Sequence, residues 1–340
     1  MDLIQGTGRF EATAKEAVQN RDARGTAPRV LYVASSSRSG STLLAFLLNT
    51  HPAIFSVGHT TGWAFDNDGD FRCSCGLPLP VCPFYSRMAV VFREQGLPFR
   101  FNDFGTHYQL VANDRLNRWL TAGLPIVQSN RLEEIRDATI MRIRRCSSRL
   151  RGQDRANQLF IEQSLAYSGA RVFADASQMP HRVRHLRRIV DLDISVVHLV
   201  RDPRGVAASQ LRSQGIDPVV TVRGWLRTQL AILRVLEDFR PHLTVYYEDL
   251  AERPSRALGS IYAFLGLDSC PLPDDFRQSE HHILGNEMRR RRERISRDER
   301  WKTELSAHDM NSVVGRLEAF NDTHPRHPLS AIVRRYLDIQ

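Results

Sequence analysis

The stretch "VLYVASSSRSGSTLLAFLLNTHP", residues 30–52, decides the fold. Residues 29–34 are a short β-rich run, a Ser/Gly loop follows, and "STLLAFLLNT" carries a helical pattern that ends before His51-Pro52. Strand, loop and helix in that order make the β-α unit that holds phosphate groups at a helix N-terminus. Laid against the pattern G-x-x-x-x-G-K-[ST], Ser35 stands at the first glycine, Gly40 matches, Ser41 replaces the lysine and Thr42 supplies the hydroxyl. The backbone N–H groups and the helix dipole remain, without the usual lysine. Ser37, Ser39, Ser41 and Thr42 add hydroxyl donors, and Arg38 brings a charge from inside the loop. A nucleoside triphosphate with Mg²⁺ is poorly served, because no acidic strand end follows to hold the metal. The loop suits a ligand with one phosphate and a further anionic group beside it, and no metal.

Working outward, "ARVFADAS" (170–177), "DISVVHLV" (193–200) and "LTVYYEDL" (243–250) read as further strands. Helical patterns at 178–190, 204–214, 219–239 and 254–265 separate them, which predicts an α/β fold. The expected architecture is a P-loop-type, three-layer α/β/α arrangement with a central parallel sheet. Residues 55–168 read as an insertion, Pro/Gly-rich at 58–83 and helical at 106–122, 131–150 and 154–167, which forms a substrate cap. The expected organisation is a polar N-terminal extension (1–28), one domain (29–322) and a C-terminal extension (323–340).

Composition narrows the function classes. In 340 residues, 42% are hydrophobic and 25% charged, enough for a full core. No apolar run approaches the roughly 20 residues of a membrane span, and the N-terminus is too charged for a secretory signal, so a cytoplasmic location is expected. The net charge of +9 raises nucleic acid as a partner. The basic residues are nearly all arginine, spread along the chain with clusters at 142–151 and 289–294, and no nucleic-acid-binding signature accompanies them. A small anionic ligand explains the excess.

A second anion site follows the third strand. In "VVHLVRDPRGVAASQLRSQ" (196–214), Arg201 ends a β-branched run, Asp202 is the expected N-cap and Pro203 the first helical residue, with Ser209 two turns on. An arginine at a strand's C-terminal end faces the crevice where open α/β sheets bind ligands.

"SRSGSTLL" and "LVRDPRGVAASQ" closely resemble the two cofactor motifs of sulfotransferases that use 3′-phosphoadenosine 5′-phosphosulfate (PAPS), with the greatest likeness to the bacterial, carbohydrate-type branch. "VFADASQMPHRVRHL" is similar to that branch's Asp-Ser-Ser-Lys segment and "HHILGNEMR" to its His-x-Ile-x-Gly-Asn-x-x-Arg loop; "YYEDL", "AFLGL" and "ISRDERW" follow in order, so the likeness spans roughly 29–305. The resemblance implies sulfuryl transfer from PAPS to an acceptor hydroxyl, with adenosine 3′,5′-bisphosphate (PAP) as product. It assigns Ser39, Gly40, Ser41 and Thr42 to the 5′-phosphate and sulfonate, and Arg201 and Ser209 to the 3′-phosphate. Gly285, Asn286 and Arg289 close over the adenosine phosphate side. Because no lysine lies in a motif, Arg38 takes the electrostatic part at the leaving group. The expected base is His59, near the position where relatives carry a glutamate, with Asp175 as second candidate. Ala176 and Gln178 depart from the Asp-Ser-Ser-Lys pattern. Two other classes use a similar loop: a P-loop kinase, and a non-catalytic nucleotide-binding protein.

"CSCGLPLPVCPFY" sets Cys73, Cys75 and Cys82 in one loop. Three cysteines fall one short of a tetrahedral set; His59 or His107 could complete it. The plainer reading is reduced thiols packed in a cap loop, a regulatory disulfide is a further alternative, and no metal is expected. Trp119 and Trp225 read as packing residues, Trp63 as packing or a sugar platform, and "RRRRER" at 289–294 as one cofactor arginine on a solvated basic face. The acceptor, whether sugar, glycolipid or natural-product hydroxyl, is not written in the sequence.

Overall fold

The structure is a computed structural model, and it describes residues 27–62, 71–123, 129–277, 281–286, 288 and 294–338. Five parallel strands, β1 (Arg29–Ser35), β2 (Ile54–Gly58), β3 (Val172–Gln178), β4 (Asp193–Val200) and β5 (Leu243–Tyr246), form one sheet in the order β2-β3-β1-β4-β5. β1 is central, in continuous register with β4 from Arg29↔Asp193 to Ser35↔Leu199. From β1 the chain goes to the edge strand β2, returns through β3 beside β1, and then crosses to β4 and β5 on the other side, so β1 and β4 flank the switch point where such sheets open a ligand crevice.

The side-chain period of two explains the layers. Leu31 and Val33 of β1, with Val197 and Leu199 of β4, face α1 (Ser41–Leu48) and its neighbours in one buried cluster. Tyr32, Ala34 and Val196 face the opposite cluster, which receives Val183, Leu186, Ile232 and Val235. The last four belong to two helices, α6 (Arg182–Leu186) and α8 (Pro218–Leu236). All eight residues of α1 are buried. A helix apolar on every side must be enclosed on every side, and each fully buried leucine in it contributes about 1.5–3 kcal/mol.

The cap consists of α2 (Pro83–Glu94), α3 (Asp114–Thr121), α4 (Asn130–Arg142) and α5 (Arg144–Ser168). Phe84 and Phe92 of α2 and Phe160 of α5 pack against Phe55 and Phe173 of the sheet, which ties the insertion to the domain. The α/β class and the helical insertion are as the sequence predicts, but several elements differ. β2 lies where the insertion was expected to begin, and it was not recognised as a strand. Residues 243–250 divide into β5 and α9 (Tyr247–Glu252), which is followed by α10 (Pro254–Leu265). The helix expected over 178–190 is only the five residues of α6, and that over 106–122 only α3. Beyond α7 (Pro203–Gln214) and the short α11 (Trp301–Glu304) come α12 (Ala307–Thr323) and α13 (Pro328–Leu337), neither read from sequence. Leu329, Val333 and Tyr336 of α13 pack against Val200 and Trp225, so this end of the chain joins the core. Trp63, Arg289 and most of the N-terminal extension lie outside the described residues.

Candidate functional site

The loop after β1 turns twice through the left-handed region, at Arg38 (φ 63°) and at Gly40 (φ 89°). A Cβ on Gly40 would lie 2.5 Å from Cδ2 of Tyr247, so both backbone and packing demand glycine there. The turn aims the first N–H groups of α1 at the end of the sheet. Ser36 and Ser39 share a hydrogen bond of 2.7 Å between hydroxyls and stiffen the loop. Ser41 Oγ accepts from the Nε2 of Gln178.

Across the switch point, Arg201 leaves β4 and returns to the loop. Its Nη1 donates to the Arg38 carbonyl at 2.9 Å, its Nη2 to Asp298 Oδ2 at 3.0 Å, and its guanidinium carbon sits 4.4 Å from the centre of the Tyr247 ring. Asp202 caps α7 by accepting from the Arg204 N–H, as expected of that position. A Cβ at Gly205 would come within 3.1 Å of Arg201 Nε, so the guanidinium lies on the helix backbone. Ser209, four residues on, is on the same helix face and buried. Arg212 follows one turn later, 3.9 Å from Asp298.

Arg38, Arg201 and Arg212 therefore converge. Burial lowers the Arg38 pKa, and the positive charges of Arg212 and Arg201 lower it further. No carboxylate among the described residues pairs with Arg38. Two acids face the cluster: Glu304 pairs with Arg212, and Asp298 is held well below the usual carboxylate range despite its burial, because Arg300 and Arg201 bond to it.

Residues 281–286 close the other side. Leu284 bridges to Gly58, the last residue of β2, with its N–H donating to the Val57 carbonyl at 2.7 Å. A Cβ on Gly285 would meet Thr42 Oγ1 at 2.6 Å, so this glycine sits directly on the start of α1. Asn286 accepts from the Met288 N–H at 3.0 Å through its side-chain oxygen.

The two base candidates differ sharply. Asp175 is 1% exposed, and its carboxylate accepts from Arg182 Nε (2.9 Å), Thr60 Oγ1 (3.1 Å) and the Ser177 N–H (2.9 Å). Arg182 is in turn fixed by the Thr106 carbonyl, Thr60 Oγ1 and Asn157 Oδ1. This network is saturated. His59 follows β2, whose Gly58 is in register with Asp175. Its pKa is lowered by burial, a shift that Asp175 partly offsets, so the imidazole is neutral at pH 7.

Next to Gln178, a cavity of 410 Å³ opens between α3 and α6, lined among others by His107, Tyr108, Arg118, Met179, His181 and Arg182. His181 Nδ1 is buried without a hydrogen-bond partner among the described residues. Burial, with Arg184, Arg234 and Arg136 nearby, pushes its pKa down to about 3. Sequence reasoning missed Tyr247, Asp298, Arg212 and His181, for their roles come from contacts across the fold. All four lay in segments singled out, Tyr247 in "YYEDL", Arg212 in "VVHLVRDPRGVAASQLRSQ", His181 in "VFADASQMPHRVRHL" and Asp298 in "ISRDERW", but none was assigned a role. In the cap loop, the imidazole that meets the three cysteine sulfurs is that of His282; His59 and His107, the two considered from sequence, are not in that cluster.

No helix among the described residues is long and apolar enough to cross a membrane. Comparison with curated proteins finds no match. Among solved structures, the chain is similar to the sulfotransferase domain of the olefin synthase of Synechococcus PCC 7002, with 20% identity, 87% of this chain and 95% of that one covered, and a TM-score of 0.49. A sulfotransferase domain from the curacin biosynthetic pathway gives 16% identity, coverage of 86% and 98%, and a TM-score of 0.43. A sulfotransferase from Mycobacterium avium gives 15%, coverage of 92% and 81%, and 0.41. Residues 106–271, which carry α3 to α5 of the cap, β3, β4, β5 and Arg201, match the Sulfotransferase family.

Proposed function

We propose that this chain is a PAPS-dependent sulfotransferase that moves a sulfuryl group, without a metal, to a hydroxyl of a carbohydrate, glycolipid or natural-product acceptor. The carrying observation is the convergence of Arg38, Arg201 and Arg212 at the switch point, joined by Arg300 on Asp298, so that four arginines face two acids, Asp298 and Glu304. Such a site calls for an anion of more than one charge. The residues fit PAPS on chemical grounds. The loop has backbone donors and hydroxyls in place of a lysine, Gly40 and Gly285 allow Tyr247 and Thr42 to pack closely at the start of α1, and Arg201 with Ser209 offers a second anion subsite. When bound, PAPS supplies the activated sulfuryl group and a phosphate as leaving group.

The chain's own residues do the rest. Ser37, Ser39, Ser41 and Thr42, with the N–H groups of Gly40 and α1, hold the 5′-phosphate and sulfonate oxygens. Arg38 places positive charge where negative charge develops at the departing oxygen. Arg201 and Ser209 hold the 3′-phosphate, while Gly285 and Asn286 form the opposite wall. His59, neutral through burial, takes the proton of the attacking hydroxyl. Asp175 holds Arg182, and through it the floor of the 410 Å³ cavity, which we assign to the acceptor. The unpartnered Nδ1 of His181 is then available to an acceptor hydroxyl.

The test is a thermal titration. PAP without Mg²⁺ is expected to raise the melting temperature with micromolar affinity or better, and ATP with Mg²⁺ to do less. A shift with ATP and Mg²⁺ alone would turn the reading toward a kinase. Binding of PAP without transfer from labelled PAPS to any member of a hydroxyl panel would favour a non-catalytic nucleotide-binding protein.

A further inference from the structure

Cys73, Cys75, Cys82 and His282 bring one ligand atom each into a group whose members all lie within 4.8 Å of one another. Cys75 Sγ and Cys82 Sγ are 3.7 Å apart, and His282 Nδ1 is 3.2 Å from Cys82 Sγ and 3.9 Å from Cys73 Sγ. A zinc ion with Zn–S bonds of about 2.3 Å in a tetrahedron sets its sulfurs about 3.8 Å apart, with sulfur to nitrogen slightly less. A disulfide would need about 2.05 Å, and all five cysteines are free thiols. From this geometry we infer that the four residues form a structural Cys₃His zinc site.

The surroundings are those of a built site. Cys73, Cys82 and His282 are buried, and Cys75 is at the surface. His282 Nε2 lies 3.0 Å from the Tyr167 hydroxyl, and Phe84 stacks on the ring at 5.5 Å. With Nε2–H given to Tyr167, the Nδ1 lone pair faces the sulfurs, the orienting contact that metal-bound imidazoles commonly have. The His282 carbonyl accepts from Tyr85 Oη at 2.8 Å, which fixes the main chain as well. The turn Cys73-Ser74-Cys75-Gly76 is closed by the Gly76 N–H on the Cys73 carbonyl at 2.9 Å, and Gly76 has φ 88°. On binding, Zn²⁺ takes three thiolates and one neutral imidazole, and three thiol protons pass to solvent. The metal joins the cap loop to the segment that lays Gly285 on Thr42, residues about 200 positions apart in the chain.

The site is independent of the sulfuryl-transfer reading, and so is its test. The full chain, purified without a histidine tag or chelator, is expected to contain about one zinc per molecule by elemental analysis. Cobalt in its place should give thiolate charge-transfer and tetrahedral d–d absorption. Since Cys82→Ser or His282→Ala could fail to fold, the surface ligand is the safer probe. Cys75→Ser should keep its far-ultraviolet circular dichroism and lose zinc affinity by at least about tenfold. Reduced, folded protein that takes up neither zinc nor cobalt overturns the inference. So does a Cys75→Ser variant that binds zinc as tightly as the parent.

Discussion

At the scale of single residues, the two phosphate subsites should separate. Arg201→Ala is expected to weaken PAP binding by about 1.5–3 kcal/mol, the worth of a charge-assisted contact, as read by calorimetric titration. Arg38→Ala should lower turnover more than PAP affinity, since PAP lacks the sulfonate that Arg38 is proposed to serve. The reverse pattern would mean that the subsites are exchanged. His59→Ala should cut turnover by about 10²–10⁴-fold and leave PAP affinity unchanged. Because burial lowers the His59 pKa, the base protonates only below the ordinary value of 6.5, so the acid limb of kcat/KM should lie below that pH and vanish in the variant. Asp175→Asn, in contrast, should act on stability. Removing one partner of the buried Asp175–Arg182 pair costs about 3–5 kcal/mol, and turnover per folded molecule should survive. An Asp175→Asn protein of full stability and no turnover would make Asp175 the base.

At the scale of elements, the unit β1-loop-α1 depends on Gly40. A side chain there faces φ 89° and the Tyr247 ring together. The left-handed conformation alone costs about 1–2 kcal/mol, and the clash adds to it. Gly40→Ala should therefore lower the midpoint of chemical denaturation and weaken PAP, while Gly76→Ala, with nothing near its Cβ, should show only the conformational cost. Equal effects on PAP binding would show that Gly40 has no special place in the site. How far such elements were legible differs for a physical reason. The residues of β1, the loop and α1 are consecutive, and so are those from β4 through α7, so periodicity and capping residues announce them. β2 is five residues, all buried, and offers no alternation to read. α6 is too short for a helical period.

At the scale of the molecule, stability should fall with acid. His181, His185 and His198 are buried neutral, with His198 pushed down to about 4 by burial despite its bond to Gln229. The unfolded chain binds protons at these groups from about pH 6.5 downward and the folded one does not, so stability present above 6.5 is lost as pH drops toward 4. Asp298, held low in the folded state, adds a loss of the same sign at still lower pH. A melting temperature that stays level from pH 7 to 4 would contradict this.

What the sequence by itself determined was local: the α/β alternation, the lysine-free loop and the arginine closing β4, each set by neighbours along the chain. The tertiary structure alone decided the rest. It placed Asp298 between Arg201 and Arg300, turned Gln178 onto Ser41 and tied Asp175 to Arg182. It also carried His282 to three cysteines that sequence reading counted as one ligand short. These contacts join segments up to some 200 residues apart, and a one-dimensional pattern contains no term for them until the sheet order brings their ends together.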